Sequence, residues 1–177
     1  MEHAVNHPHI NNPQITHHYH SYIDAFDLPA LEQNILKGSR IDGINAYVEC
    51  CGRHAESDKA DKIALVHEDP QGNINRYSYA ELDALSGKMA NLLASFGVKA
   101  GDRVSTMLPR CPELLMVILG AWRIGAVYQP LFTAFGCEAI EYRLQRADTK
   151  VVFTDVHNRE KFAEIANLPK MVMVGEQ

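Results

Sequence analysis

The sequence has no Cys-x-x-Cys pair, no apolar core of a secretory signal near its start and no unbroken apolar run of membrane length. Its four cysteines are Cys50, Cys51, Cys111 and Cys137, and only the first two are close. Adjacent cysteines rarely pair with each other. Without Cys-x-x-Cys spacing, neither a zinc site nor a redox motif is expected. A reduced, cytoplasmic setting is the simplest expectation. The longest apolar region, residues 114–131, is interrupted by Arg123 and Pro130, which argues against a membrane span. An excess of positive charge is missing too. The net charge is −5, so neither nucleic acid nor an anionic membrane is expected as a partner.

What is present is ordinary for a globular protein, with 46% apolar and 22% charged residues. A chain of 177 residues fits one domain. At that size it can bury about 70% of the surface its unfolded form exposes, so a core needs no staples.

The chain divides by pattern. Residues 1–20 hold six of the nine histidines, His3, His7, His9, His17, His18 and His20, among Asn and Pro. This composition predicts a flexible polar leader, with adventitious metal binding as the alternative. Residues 21–60 read as a helical N-terminal extension. A first helix over 22–38 carries Leu28, Leu31 and Ile35 and stops at Gly38. A second over 44–54 puts Ile44, Tyr47, Val48 and Cys51 on one face.

From residue 61 to 177 the rhythm is that of an α/β layer. KIALVHED (62–69) and INRYSY (74–79) read as strands joined by the turn PQGN, a hairpin. Ser78 and Glu81 have capping-box spacing. The helix after them stripes Leu82, Leu85, Met89, Leu92, Leu93 and Phe96, and Gly97 stops it. RVSTML (103–108) alternates weakly, as a strand buried on both faces should. Asp102–Arg103 reads as a cap leading into that strand. A helix from Pro112 to about Ile124, a strand at 126–131, a helix at 138–146, a strand at 150–155, a helix at 159–166 and a strand at 170–175 follow. Such alternation predicts at least four parallel strands joined by crossover helices.

The stretch AWRIGAVYQPLFTAFG (121–136) condenses this into helix end, glycine, short strand and aromatic turn. In open parallel sheets ligands sit beyond the carboxyl ends of the strands. The loop after 126–131 should face such a crevice, with the amides of a following helix available to an anion. Phe132 or Phe135 would then lie against a purine or an acyl chain; alternatively both are core and the loop is only a tight turn.

The ordered strings INAYVECCGRHAES, DKIALVHED, YSYAEL, GVKAGDRVSTMLPRCPELLMVILGAWRIGAVYQPLFTAFG and ADTKVVFTD resemble the N-terminal part of the adenylate-forming acyl-CoA synthetases. Among these they most resemble the AMP-forming acetyl-CoA synthetase group. YSYAEL is similar to the family's first core motif and WRIGAVYQPL to its second, over roughly 22–155. The resemblance implies the incomplete N-terminal subdomain of the adenylate-forming fold. It also implies a ligase that activates a short, acetate-like acid with ATP as an acyl-adenylate and passes it to CoA.

Phosphates in such chemistry need a Gly/Ser/Thr-rich loop and a magnesium carboxylate. By the resemblance these, the ribose carboxylate and the catalytic lysine come from later in the chain. SGKMA (86–90) sits in an amphipathic pattern and lacks the upstream glycine of a phosphate loop. The chain is therefore expected to be a truncated piece of a longer ligase, inactive in adenylation by itself. ATP and Mg would belong to the complete enzyme.

In the family, the turn similar to FTAFG and basic residues after the strand similar to KVVFTD hold the CoA nucleotide. The matching positions are Phe132, Thr133, Ala134, Arg159 and Lys161. Thr133 and Ala134 stand where the usual turn has glycines, and the family's two arginines register on Arg159 and Lys161 only with a shift. A solvated helix face is the alternative for these two. Cys137 opens a helix, which would lower its pKa, although an incidental cysteine is the plainer reading. His54, His67 and His157 show no triad or metal spacing. A free-standing, non-catalytic CoA-binding or interaction module is the second hypothesis, and a metal-handling leader a third. The fragment reading also predicts exposed apolar surface and self-association.

Overall fold

The computed structural model describes residue 23 and residues 25–175. The histidines of the leader lie outside the described residues. The chain forms two compact units, Met1–Ile44 and Asn45–Gln177. No helix among the described residues is long and apolar enough to cross a membrane.

In the first unit, helix α1 (Leu28–Ile35) starts at Asp27, whose side chain accepts from the Ala30 amide at 3.2 Å. It ends three residues short of Gly38, because Leu36 is already extended. The chain then closes a small loop in which the Ser39 and Gly43 amides donate to each other's carbonyls. Gly43 takes φ +104, and a Cβ at Gly38 would come 2.4 Å from the Gly43 carbonyl oxygen, so both positions favour glycine.

In the second unit, the Asn45 side-chain oxygen accepts from the amides of Tyr47 and Val48, at 2.9 and 3.3 Å. A π-helical turn (Val48–Gly52) follows and runs into the short helix α2 (Arg53–Ala55). Tyr47 and Cys51 bury themselves with Leu82 and Leu119, and Val48 packs beside them, whereas Ile44, expected on the same face, precedes the helical turns and is exposed.

Strands β1 (Ile63–Glu68) and β2 (Ile74–Ser78) pair antiparallel. In their turn, Asp69 Oδ1 accepts from the amides of Gln71 and Asn73, and Gly72 takes φ +85. Ser78 and Glu81 close the capping box of α3 (Tyr79–Ser95) with bonds of 3.2 and 2.7 Å. The buried stripe of α3 is Leu82, Ser86, Ala90 and Leu93 rather than the all-large set the pattern predicts; Leu92 is exposed. Small residues win this face because α4 (Pro112–Arg123) packs very close to it through Gly120.

Strands β3 (Arg103–Met107), β4 (Val127–Pro130), β5 (Thr149–Thr154) and β6 (Lys170–Met173) form a parallel sheet in the order β4-β3-β5-β6. Helix α5 (Cys137–Arg146) connects β4 to β5. Period-2 alternation sorts the sheet's side chains into two cores. Val104, Val151 and Phe153 join Leu93, Val117 and Ala121 on the face of α3 and α4. Met107 and Val152 join Ile140, Leu144 and Phe162 on the face of α5. This is the α/β fold with a hairpin that the alternation predicts.

One element differs. A helix over 159–166 is expected, but only a 3-10 turn (Arg159–Phe162) forms. The apolar residues Phe162, Ile165 and Leu168 recur every three positions and all meet the α5-side core. That is the eclipsed spacing of a 3-10 turn, not of an α-helix.

Candidate functional site

In the order β4-β3-β5-β6, the chain leaves β3 toward β4 on one side and then returns to β5 on the other. The two crossovers cover opposite faces, so the loops after β3, β4 and β5 diverge at the carboxyl edge around β3. That is the topological switch where open α/β sheets take ligands.

The loop after β4 begins with Leu131, whose amide donates to the Thr106 carbonyl at 2.8 Å and seats the loop on the sheet. A tight turn follows, closed by the Phe135 amide on the Phe132 carbonyl at 2.9 Å. The turn separates its two aromatics. Phe135 packs against the α5-side core, with the Arg143 guanidinium 4.1 Å from its ring centre. Phe132 meets Phe135 edge to face at 5.9 Å yet stays 66% exposed. One phenylalanine thus packs on the core, and the other is presented to solvent. Thr133 is half-buried and Ala134 exposed.

Gly136 precedes α5 without a capping side chain. Cys137 opens that helix, but its thiol is pushed up, not down: desolvation comes first, and the charges of Glu164, Glu141 and Glu138 add to it. Desolvation, with the acidic neighbours added, sets the direction, which corrects the expectation of a lowered pKa.

After β5, Asp155 Oδ1 accepts from the Asn158 amide at 2.8 Å and from its side-chain amide at 2.9 Å. This Asx turn buries Asn158 and starts the 3-10 turn. Lys161 then projects back. Its ammonium donates to the Thr133 carbonyl and, at 3.1 Å, to Asn158 Oδ1. The turns after β4 and β5 are thereby joined. Arg159 is exposed, with no side-chain hydrogen bond or ion pair among the described residues, and its five N–H groups are open to an anion. It borders a shallow cavity of about 490 Å³ with Val156, Phe162 and Met171.

Of the five positions singled out, Thr133 and Lys161 touch, Phe132 and Ala134 flank that contact, and Arg159 stands two residues from Lys161 on the same turn. Sequence reasoning overlooked Asp155 and Asn158; their Asp-x-x-Asn spacing at a strand end was the available signal. It also overlooked Arg143, for which helix spacing from Gly136 gave no cue. SGKMA lies within α3, as its pattern predicts, and offers no phosphate loop. His54 rests 4.9 Å from the ring of Tyr79, and burial with nearby Lys59 and Arg53 lowers its pKa. Among the described residues no group of three or more His, Cys, Asp or Glu side chains converges.

Known proteins are similar to this chain in sequence and in backbone. The acetyl-coenzyme A synthetase of Bacillus subtilis is 37% identical over 135 residues, 75% of this chain and 23% of that enzyme. That of Streptomyces avermitilis is 38% identical over 111 residues, 63% of this chain and 17% of that enzyme. The chain thus spans less than a quarter of the length of these curated relatives. A crystal structure of an acyl-CoA synthetase from Brucella canis superimposes with a TM-score of 0.83 at 41% identity, covering 90% of this chain and 29% of that one. Apo MatB from Rhodopseudomonas palustris gives a TM-score of 0.63 at 31% identity, covering 74% of this chain and 25% of that one. The family model for AMP-binding enzymes matches residues 52–176, and with two thirds of its length in that match the chain belongs to the AMP-binding enzyme family.

Proposed function

We propose that this chain forms the N-terminal α/β part of an AMP-forming acid–CoA ligase that activates a short, acetate-like acid in the cytoplasm. The single observation that carries the reading is its likeness to acyl-CoA synthetases in both sequence and backbone over most of the chain. In this reading residues 61–177 are the first α/β subdomain, 21–60 a helical extension and 1–20 a polar leader. ATP, magnesium and the acid are engaged by segments of the enzyme other than these.

The chain's own contribution is one wall of a CoA site. Phe132 offers an exposed ring to a purine, Arg159 an exposed guanidinium to a phosphate, and Thr133, Ala134 and Lys161 shape the turn between them. A guanidinium is suited to a phosphate because its planar fork donates two parallel, charge-assisted bonds. A single wall binds weakly, with Kd in the millimolar range, about −4 kcal/mol.

Two measurements test this. The 177-residue chain incubated with ATP, acetate and CoA should release neither AMP nor pyrophosphate; turnover would overturn the assignment of the activating chemistry to other segments. CoA titrated into labelled protein should move amide resonances of residues 132–136 and 159–161. Sub-micromolar saturation would favour a self-sufficient CoA-binding module instead, and no perturbation at all would remove the CoA wall.

A further inference from the structure

The basic residues after β5 do not stand alike. Arg159 has an exposed side chain with no hydrogen bond or ion pair among the described residues. Lys161 is half-buried, and its ammonium already donates to the Thr133 carbonyl and to Asn158 Oδ1. Asn158 is in turn held by two bonds to Asp155 Oδ1. A chain of contacts therefore runs from the end of β5 through Asp155, Asn158 and Lys161 to the backbone between Phe132 and Ala134.

We propose that Lys161 is a positioning residue: it braces the turn after β4 against the turn after β5 and so fixes the direction in which Phe132 is presented. This deepens the CoA reading and rests on it for its functional consequence, but the brace itself is a statement about this chain alone.

The physical case has three parts. Thr133 stands at a turn with only one internal backbone bond, from Phe135 to Phe132, so the turn needs an external anchor to hold one shape. A backbone carbonyl is an acceptor that no side-chain substitution removes, and an ammonium is a compact donor that reaches it from outside. Both acceptors of Lys161 are neutral oxygens. Its charge is therefore not cancelled, but its donors are directed inward, whereas those of Arg159 are open to solvent.

The test compares K161M with R159M in the full 177-residue chain. Methionine keeps the apolar stem of lysine and removes the ammonium. In K161M the amide order parameters of residues 132–136 should fall from about 0.85 toward 0.6, the difference between rigid and flexible backbone. In R159M they should stay at the wild-type value. With CoA as the probe, K161M should weaken binding about tenfold, the size of a lost charge-assisted bond, while keeping the wild-type dependence on salt. R159M should weaken binding and flatten that dependence, because a direct ion pair is what salt screens.

Unchanged order parameters in K161M would overturn the proposal, as would a salt dependence flattened as much as in R159M. If wild-type protein fails to perturb with CoA, the CoA reading falls, and the order parameters alone still decide the brace. Should K161M unfold by circular dichroism, N158A answers instead. It removes one acceptor of Lys161 and its tie to Asp155, and it should loosen residues 132–136 in the same way; a rigid turn in N158A would overturn the brace.

Discussion

Arg123 donates to the phenolic oxygen of Tyr47 at 2.6 Å, and its guanidinium carbon lies 4.6 Å from the centre of the same ring. The Tyr47 hydroxyl donates onward to Asp83, which Arg123 also meets at 2.8 Å. Three elements, the segment before the π-helical turn, α3 and α4, are joined by this triangle.

The triangle sets a pH dependence. Burial pushes the Tyr47 phenol above its ordinary value of 10.0, and the hydrogen bond to Asp83 adds to that, against the charge of Arg123. A pKa raised in the folded state means the native protein holds this proton more tightly than the unfolded chain. The stabilisation is complete below pH 10 and is lost as pH rises above it. Y47F keeps the ring but leaves Asp83 and Arg123 with one partner fewer. It should cost about 1–3 kcal/mol near neutral pH. Urea midpoints between pH 8 and pH 11 should fall steeply in the wild type and less in Y47F; parallel curves would remove Tyr47 from the alkaline transition.

Much of this architecture was legible beforehand, and for identifiable reasons. The Ser78–Glu81 capping box, the Asp69–Asn73 turn and the weak alternation of residues 103–108 are local signals, written in adjacent residues. The strand-helix alternation that follows them carries the parallel sheet. What was missed depends on distant partners. Nothing near Leu92 says that Gly120 will press on Met89 and Ala90 and turn the large residues aside. At residues 159–166 the strand-helix rhythm points to a helix, whereas the apolar spacing of three from Phe162 to Leu168 suits the 3-10 turn that forms. At the candidate site, residue types marked Lys161 and Arg159 alike as basic, and only the tertiary contact with the Thr133 carbonyl separates them.

The close approach of α3 and α4 gives a paired prediction. A Cβ at Gly120 would sit 2.7 Å from Met89 Cγ, 2.8 Å from Met89 Cβ and 3.2 Å from the Ala90 amide nitrogen. Since Met89 Cβ and the backbone cannot swing aside, G120A forces the helices apart and should destabilise by about 1–3 kcal/mol. At Gly87 the nearest atom is an Arg123 guanidinium atom at 3.7 Å, an ordinary contact. There G87A should stabilise by about 0.5–1 kcal/mol through helix propensity. Chemical denaturation of the two variants checks both signs, and equal effects would contradict the packing argument.

The adjacent cysteines should differ sharply in reactivity. Cys50 is exposed; Cys51 is 1% exposed and its thiol faces the Tyr79 carbonyl at 3.9 Å. Burial, with the charge of Asp83 next, pushes the Cys51 thiol up to about 11. At pH 8 its thiolate is then roughly a thousandth of the total, and the thiolate is what reacts. Iodoacetamide followed by peptide mass analysis should find Cys50 carbamidomethylated in the native protein and Cys51 modified only after denaturation. Equal labelling of both would place Cys51 outside the core.

Phe132 separates stability from binding. Two-thirds exposed, it contributes little to either core, so F132A should leave the unfolding free energy within about 0.5 kcal/mol of wild type. If its ring stacks on the adenine of CoA, its loss should weaken CoA binding by about 1–3 kcal/mol, the usual worth of a base on an aromatic platform. The comparison ligand is 4′-phosphopantetheine, which carries the thiol arm of CoA without the nucleotide. Its weaker binding should be indifferent to F132A. A loss of equal size with both ligands would mean that the ring meets the pantetheine arm, and no loss with either would mean that an exposed phenylalanine at the mouth of the switch point touches neither part of the cofactor.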